Sequence, residues 1–356
     1  MAPLTFLGTL AHDLVYVYND ITSFFLAFHF FILFVQHCTV LVTPVLTRDS
    51  LVKFFKIIES AQEALFNLNI RQPRSPSMLS QICWLAFFTV PLLMSIVVST
   101  FSPISYSTAA ISVAHPIVFY GTLSKMRIMM QLVKEKFDLL NWHLDDLNNR
   151  WPLFLPRPPD VTCSEFICVE KWRKTKYVHY DENHRQITSL KIEAFNRAHI
   201  KLCYAFHTLN YVFSVDSLVM TLCVGTIVMG ECFSAITNPY NLQWRYTPYF
   251  IVSAIHIATS FITVLTVATN IKEQAHKTAL LVHDLLDERD YPPDVFDELE
   301  GFSQALLHRK ISFSAGGFFE LDLKLLPRMA SLMAPITLFL IQNNNRLLAF
   351  RNKPSV

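Results

Sequence analysis

Charge is scarce in this sequence. Only 16% of its 356 residues are Asp, Glu, Lys or Arg, against about a quarter in an ordinary soluble domain. Glycine is scarcer still, with seven in the whole chain, and no glycine-rich phosphate loop, HExxH or GxSxG pattern occurs. Nucleotide, zinc-peptidase and serine-hydrolase chemistry therefore have no footing, and the sequence assigns no catalytic residue, metal site or cofactor. The chain also lacks any Asn-x-Ser/Thr sequon. His179 and His184 stand among Asp181 and Glu182, but an irregular polar segment reads as a solvated cluster rather than a metal centre. The seven cysteines are an odd number. Cys38, Cys83, Cys203, Cys223 and Cys232 sit in or beside apolar runs, as small apolar residues do. Cys163 and Cys168 fall in a long polar loop. A net charge of +2 singles out no partner, and no nucleic-acid binding is assigned.

What is abundant is apolar surface: 52% hydrophobic residues, including 30 phenylalanines. Crossing a bilayer core takes roughly 20 mostly apolar residues in a helix. Six stretches qualify, at 21–46, 81–100, 105–124, 207–235, 247–270 and 319–341. The expected fold is thus an all-α membrane protein, a helical bundle with six predicted transmembrane helices. Basic residues mark the cytoplasmic side. Placing the loops after the first, third and fifth spans inside puts about 24 of the 30 Lys and Arg there. Arg245, Arg346, Arg351 and Lys353 remain outside, so the C-terminus is expected to be extracellular.

The inside segments carry apolar stripes at helical spacing. Phe54, Ile58, Ala61, Leu65 and Leu68 form one; Met129, Val133, Phe137, Leu140, Leu144 and Leu147 form another. Ile192, Phe195, His199, Leu202 and Phe206 run into the fourth span, and Phe296, Leu299, Phe302 and Leu306 precede the last. Their registers favour helices that continue from the spans into the cytosol and pack together, with more apolar surface than one chain covers. A proline-rich, charged loop near 150–188 interrupts them.

Polar residues inside the spans are the candidates for function, because burying charge in lipid is costly. Glu231 and His256, with Tyr249 and Ser253, offer a polar lining for an outward-facing cavity, and Phe24, Phe25 and Phe28 its aromatic walls. Asp216 lies nearer the inner half of the fourth span. The alternative for each is packing between helices with its hydrogen bonds satisfied.

The C-terminal fifty residues are the most distinctive. Gly317-Phe318-Phe319-Glu320-Leu321-Asp322, followed by Leu325-Leu326 and an apolar run to Ile341 and Gln342, resembles the final membrane helix of insect gustatory receptors. In that pattern Gly317, Phe318, Phe319, Leu321, Asp322 and Gln342 are the matching positions. Pro335-Ile336 stands where the family has Thr-Tyr, and Asn343 where it has Phe. Leu140-Asn141-x-x-Leu144 and Lys277-Thr278 with Leu285 are similar to two further family patterns.

The resemblance implies seven spans, inverted topology, cytoplasmic anchor helices and a homo- or hetero-tetrameric cation channel whose last helix lines the pore. Residues 1–20 are too short to span, so the expectation is a chain lacking the family's first helix. The implied layout is 1–270 for the ligand-binding bundle and 271–313 for the anchor. A pore-lining helix then follows at 314–342, and an extracellular tail at 343–356. Within the pore helix Leu338, Ile341 or both form the apolar constriction, with Gln342 at its rim; an ordinary packed span ending in a polar tail is the alternative. Functionally the resemblance implies a non-enzymatic plasma-membrane receptor in the lipid bilayer, opened by a small-molecule tastant. A nonfunctional or accessory subunit and a membrane transporter are the rival readings.

Overall fold

In the computed structural model the described residues are 21–66, 106–150, 182–237, 247–287, 291–309 and 311–351. The expected span at 81–100, Leu68 and most of the 150–188 loop lie outside them.

Seven helices and one small hairpin occupy the described residues. Helices α1 (Ile21–Leu46) and α2 (Arg48–Phe66) are two arms of one broken rod, bent by 62°. Pro44 cannot donate to the carbonyl four residues back. Thr47 then turns its hydroxyl onto the Thr43 carbonyl at 2.7 Å, a back-bond that bends helices. Three long helices follow: α3 (Tyr106–Arg150), α4 (Glu182–Thr237) and α5 (Thr247–Asp287), of 45, 56 and 41 residues. At about 1.5 Å per residue, α4 alone extends far beyond the ~30 Å of a hydrocarbon core. A short α6 (Pro293–Leu307) precedes the hairpin β1 (Ser314–Ala315) and β2 (Phe319–Glu320), and α7 (Leu325–Arg351) ends the described chain.

Helix α4 is the axis of the fold, packed by every other helix. By length and apolarity, Gln186–Ile236, Phe250–Asp287 and Leu325–Asn343 can each cross a membrane, and the bent α1–α2 pair forms a fourth candidate. The stripes read from the sequence are buried as one core. Phe54, Ala61, Val133, Phe137, Leu140, Leu144, Leu202 and Leu299 are all inaccessible. His199 sits inside that core, its ring 5.8 Å from both Phe137 and Phe302 and its nitrogens 3.6 Å from the Cys203 sulfur. His143 is stacked on Phe195, and burial pushes its imidazole down to about 4.

One polar knot crosses this core. The Asn141 amide donates to the Gln274 carbonyl and side-chain oxygens at 2.8 and 2.9 Å, and Thr278 donates to the Asn141 oxygen at 2.6 Å. Two similarities noted separately in the sequence, at Asn141 and Thr278, are thus the two halves of one α3–α5 contact. A buried amide must be satisfied, so this contact fixes register as well as proximity.

Several expectations need correction. The boundary at 270 falls inside α5, which runs unbroken from the apolar stretch into the polar one. The 150–188 loop is shorter, because α4 begins at Glu182. The pore helix expected from 314 starts only at Leu325, since Gly316 and Gly317 take φ values of 60° and 78° and close a turn. At its other end α7 continues through 343–351, where a tail was expected.

Part of the α6 stripe is covered by its own chain: Leu299 and Phe302 are fully buried, and Leu306 is half-buried. Phe302 is therefore not available to another subunit. Phe296, on the same helix, is 41% exposed. Replacing Phe302 with Asp removes an aromatic worth ~3–5 kcal/mol in a core and leaves an unpaired charge there. Size-exclusion and thermal unfolding of detergent-solubilised protein should show no folded F302D population, whereas F296D should fold with near-normal stability. A stable, monodisperse F302D monomer would contradict this packing.

Candidate functional site

Helix α7 is the least covered of the three helices long and apolar enough to cross a membrane among the described residues. Only 11% of its most apolar stretch is buried, against 67% for α4. The covered positions follow the helical period through Leu325, Leu326, Met329, Met333, Thr337 and Leu340, a stripe turned toward α4 and α1. Gly225 of α4 lies beneath it, and a methyl added there would meet the Met329 terminal carbon at 3.8 Å, an ordinary van der Waals contact. The opposite stripe, Arg328, Ser331, Pro335, Leu338 and Gln342, is exposed along its whole length.

The candidate gate residues therefore divide. Leu338 (55% exposed) and Gln342 lie on the bare face, and Ile341 is half-buried at its edge. Leu340, at 2%, faces the body of its own chain. Pro335 leaves the Ser331 carbonyl without its usual amide donor, yet α7 continues through it as one helix. Ser331 and Thr337 turn their hydroxyls back onto the Arg328 and Met333 carbonyls, at 2.8 and 2.9 Å.

Where α7 begins, the hairpin clasps both long helices. Asn210 of α4 accepts the Ser314 amide at 2.9 Å, and the Ser214 carbonyl accepts the Gly316 amide at 3.1 Å. From α5, Thr269 accepts the Leu323 amide at 3.2 Å, and Lys272 pairs with Glu320 at 2.9 Å. That hydrogen bond holds the Glu320 carboxyl below its ordinary range. Inside the hairpin, the Leu321 amide reaches the Phe313 carbonyl at 2.7 Å, and Asp322 accepts the Lys324 amide at 3.0 Å just ahead of α7. The Gly317 to Asp322 positions thus belong to the clasp rather than to the helix.

Of the candidate pocket residues, Glu231 and Ser253 meet: the Ser253 hydroxyl donates to a Glu231 oxygen at 3.2 Å, tying α4 to α5. His256 packs edge-on against Tyr120 of α3 at 5.0 Å, a partner the sequence reading did not single out. Phe28 is exposed. The side chains of Phe24, Phe25 and Tyr249 lie outside the described residues. Deeper in the bundle, Gln36 of α1 donates to the Met220 sulfur at 3.1 Å and accepts from Cys223 at 3.2 Å. A glutamine in an otherwise apolar run was the available signal for that contact. Asp216 is buried, bonded by Thr43 of α1 and within electrostatic reach of Lys125 of α3. These contacts pin the upper and middle bundle through side chains that each have a partner on another helix.

Comparison with known proteins agrees with this architecture. Residues 4–343 match the family model for 7tm chemosensory receptors. The sequence is 20% identical to gustatory receptor 28b of Drosophila melanogaster over 219 residues, covering 59% of this chain and 45% of the relative. The match thus spans less than half the relative's length. In fold, the chain is similar to the insect olfactory receptor OR5 from Machilis hrabei. The TM-score is 0.55 and the identity 14%, covering 94% of this chain and 84% of that one.

The clasp makes a graded test possible. A Cβ at Gly316 would sit 3.2 Å from Phe318 and 3.3 Å from Leu218, in addition to its positive φ. At Gly317 the φ is positive but nothing lies within 4 Å, and Gly301 is an open helical site. Left-handed backbone costs an L-residue about 1–2 kcal/mol. Thermal unfolding should therefore rank G316A least stable and G317A intermediate, while G301A gains roughly 0.5–1 kcal/mol. Equal stability of G316A and the parent chain would mean that the hairpin is not held as described.

Proposed function

The chain belongs to the 7tm chemosensory receptor family, whose members are receptors rather than enzymes, and on that premise we propose that it is a gustatory receptor. In this reading it is a multi-pass plasma-membrane protein in which a small-molecule tastant opens a nonselective cation pore. The pore is built from α7 helices of four subunits, identical or related, with the C-terminal end of α7 extracellular. The observation that carries the reading is the bare face of α7, an apolar helix that its own chain leaves uncovered over Ser331, Leu338 and Gln342.

An apolar ring beside polar rings can close a pore by excluding water. Four copies of Leu338 with Gln342 one turn above supply such rings. The clasp supports a route to it, because movement of α4 against α5 displaces the hairpin from which α7 starts. The Glu231–Ser253 contact sits between those same helices toward the outer end, where a ligand between them would act. Charge asymmetry supports the orientation: basic residues crowd the side where α3 and α5 extend beyond the apolar core. A second reading, an accessory subunit that assembles without conducting alone, draws on Pro335, Ile336 and Asn343, which replace the family's polar and aromatic residues.

Cysteine accessibility separates these readings. With L338C and Q342C, an impermeant charged thiol reagent applied from outside should change the agonist-evoked current, with I341C responding less. L340C, packed against its own subunit, should be silent. Robust currents that no reagent alters at 338 or 342 would remove α7 from the conduction path. Current that appears only with a co-expressed relative would favour the accessory reading.

A further inference from the structure

We infer that the groove between α2 and α4 is a binding site for the phosphorylated headgroup of an anionic lipid in the cytoplasmic leaflet. The inference rests on the membrane orientation proposed above. A pocket of about 300 Å³ opens between these helices, lined by Lys53, Lys56, Ile57, Lys201 and Tyr204 among others. It lies just past the 62° bend, where α2 leaves the apolar run of α1.

The pocket's charge is of one sign. No carboxylate lines it, and among the described residues none of its three lysines is ion-paired. Lys53 lies 4.9 Å from the Tyr204 ring centre, which holds its ammonium over the groove. Lys201 donates to the Ser60 carbonyl and hydroxyl at 3.2 and 2.6 Å, which fixes the ammonium and leaves its third hydrogen to spare. At the start of α2, exposed Arg48 and Asp49 offset each other. The neighbouring pocket of about 330 Å³ shares Ser60 and Lys201 with it, but adds Glu63 and Glu193 against Arg197 and lies further along both helices, away from the bend. Positive charge is therefore concentrated at the end nearest the membrane.

The flanks identify the source of the phosphate. On α4, exposed Tyr204, Tyr211, Val215 and Leu222 follow one helical stripe that rises from the groove into the apolar span. Tyrosines at the base of an apolar stripe mark the headgroup level. On α2, Val52 and Phe55 are exposed beside Lys53 and Lys56, the arrangement of a helix lying in the interface. A soluble phosphate would use the lysines alone, whereas a lipid also uses this apolar flank. Basic clusters at such positions attract anionic headgroups.

The test uses the full chain in detergent, so it depends on neither conduction nor orientation. Binding of short-chain phosphatidylinositol bisphosphate is compared with short-chain phosphatidylcholine and with free inositol trisphosphate. The combined variant K53Q/K56Q/K201Q should bind the bisphosphate lipid roughly a hundredfold more weakly, about fivefold per lysine. K277Q, at an exposed lysine elsewhere, should bind as the parent does. Size-exclusion and unfolding profiles matching the parent establish that the combined variant is folded; if it is not, the single variants K53Q and K56Q, both at exposed positions, carry the comparison. Equal binding by parent and variants, or no preference over phosphatidylcholine, overturns the site. Inositol trisphosphate binding as tightly as the lipid overturns the lipid assignment. If the site binds as described while α7 proves not to line a pore, only the proposed channel reading fails.

Discussion

The structure turns on an apolar helix that its own chain does not cover. In the lower bundle the apolar stripes find partners within the subunit, down to fully buried Phe54, Phe137 and Phe302, whereas exposed Leu41, Ile251 and Ile255 belong to spans that lipid can cover. Helix α7 packs one narrow stripe against α4 and α1 and leaves the rest bare. Lipid satisfies part of that surface, since hydrocarbon is as apolar as leucine. Lipid does not suit a stripe that also presents Arg328, Ser331 and Gln342. A face that is apolar at Leu338 and polar on both sides of it fits a water-filled axis shared between subunits.

The same constraint gives the hairpin its role. A helix with little lateral packing is positioned mainly by its start, and α7 starts from a segment bonded to α4 through Asn210 and Ser214 and to α5 through Thr269 and Lys272. Below the hairpin the Asn141–Thr278 knot and the buried His199 make the lower core a rigid block. Above it, Glu231–Ser253 is a polar contact across the same helix pair. Rigidity below and a polar link above describe a lever whose short arm is the clasp.

The all-helical membrane fold and the buried stripes were legible because they depend on local period and composition. Phe137, Leu140 and Leu144 share a face by geometry alone, and they are buried together. What a face packs against is not in its period. The α6 stripe reads the same whether Phe302 meets His199 of its own chain or another subunit, and only the tertiary fold distinguishes the two. The hairpin was hidden for a different reason. Its strands are two residues long and are stabilised by atoms more than fifty positions away, at Asn210 and Thr269, leaving Gly316-Gly317 as the sole local sign. At the candidate site, Glu231 and Ser253 were legible as polar residues in apolar runs, while Tyr120 was not, because an aromatic in a membrane helix carries no signal by itself.

The most direct measurement is an electron cryo-microscopy map of the detergent-solubilised full chain. The account predicts four subunits around one axis, with α7 innermost, Leu338 and Gln342 turned toward the axis and Leu340 turned back into its own subunit. A particle in which α7 lies at the periphery, with Leu338 and Gln342 facing the detergent belt, would contradict it.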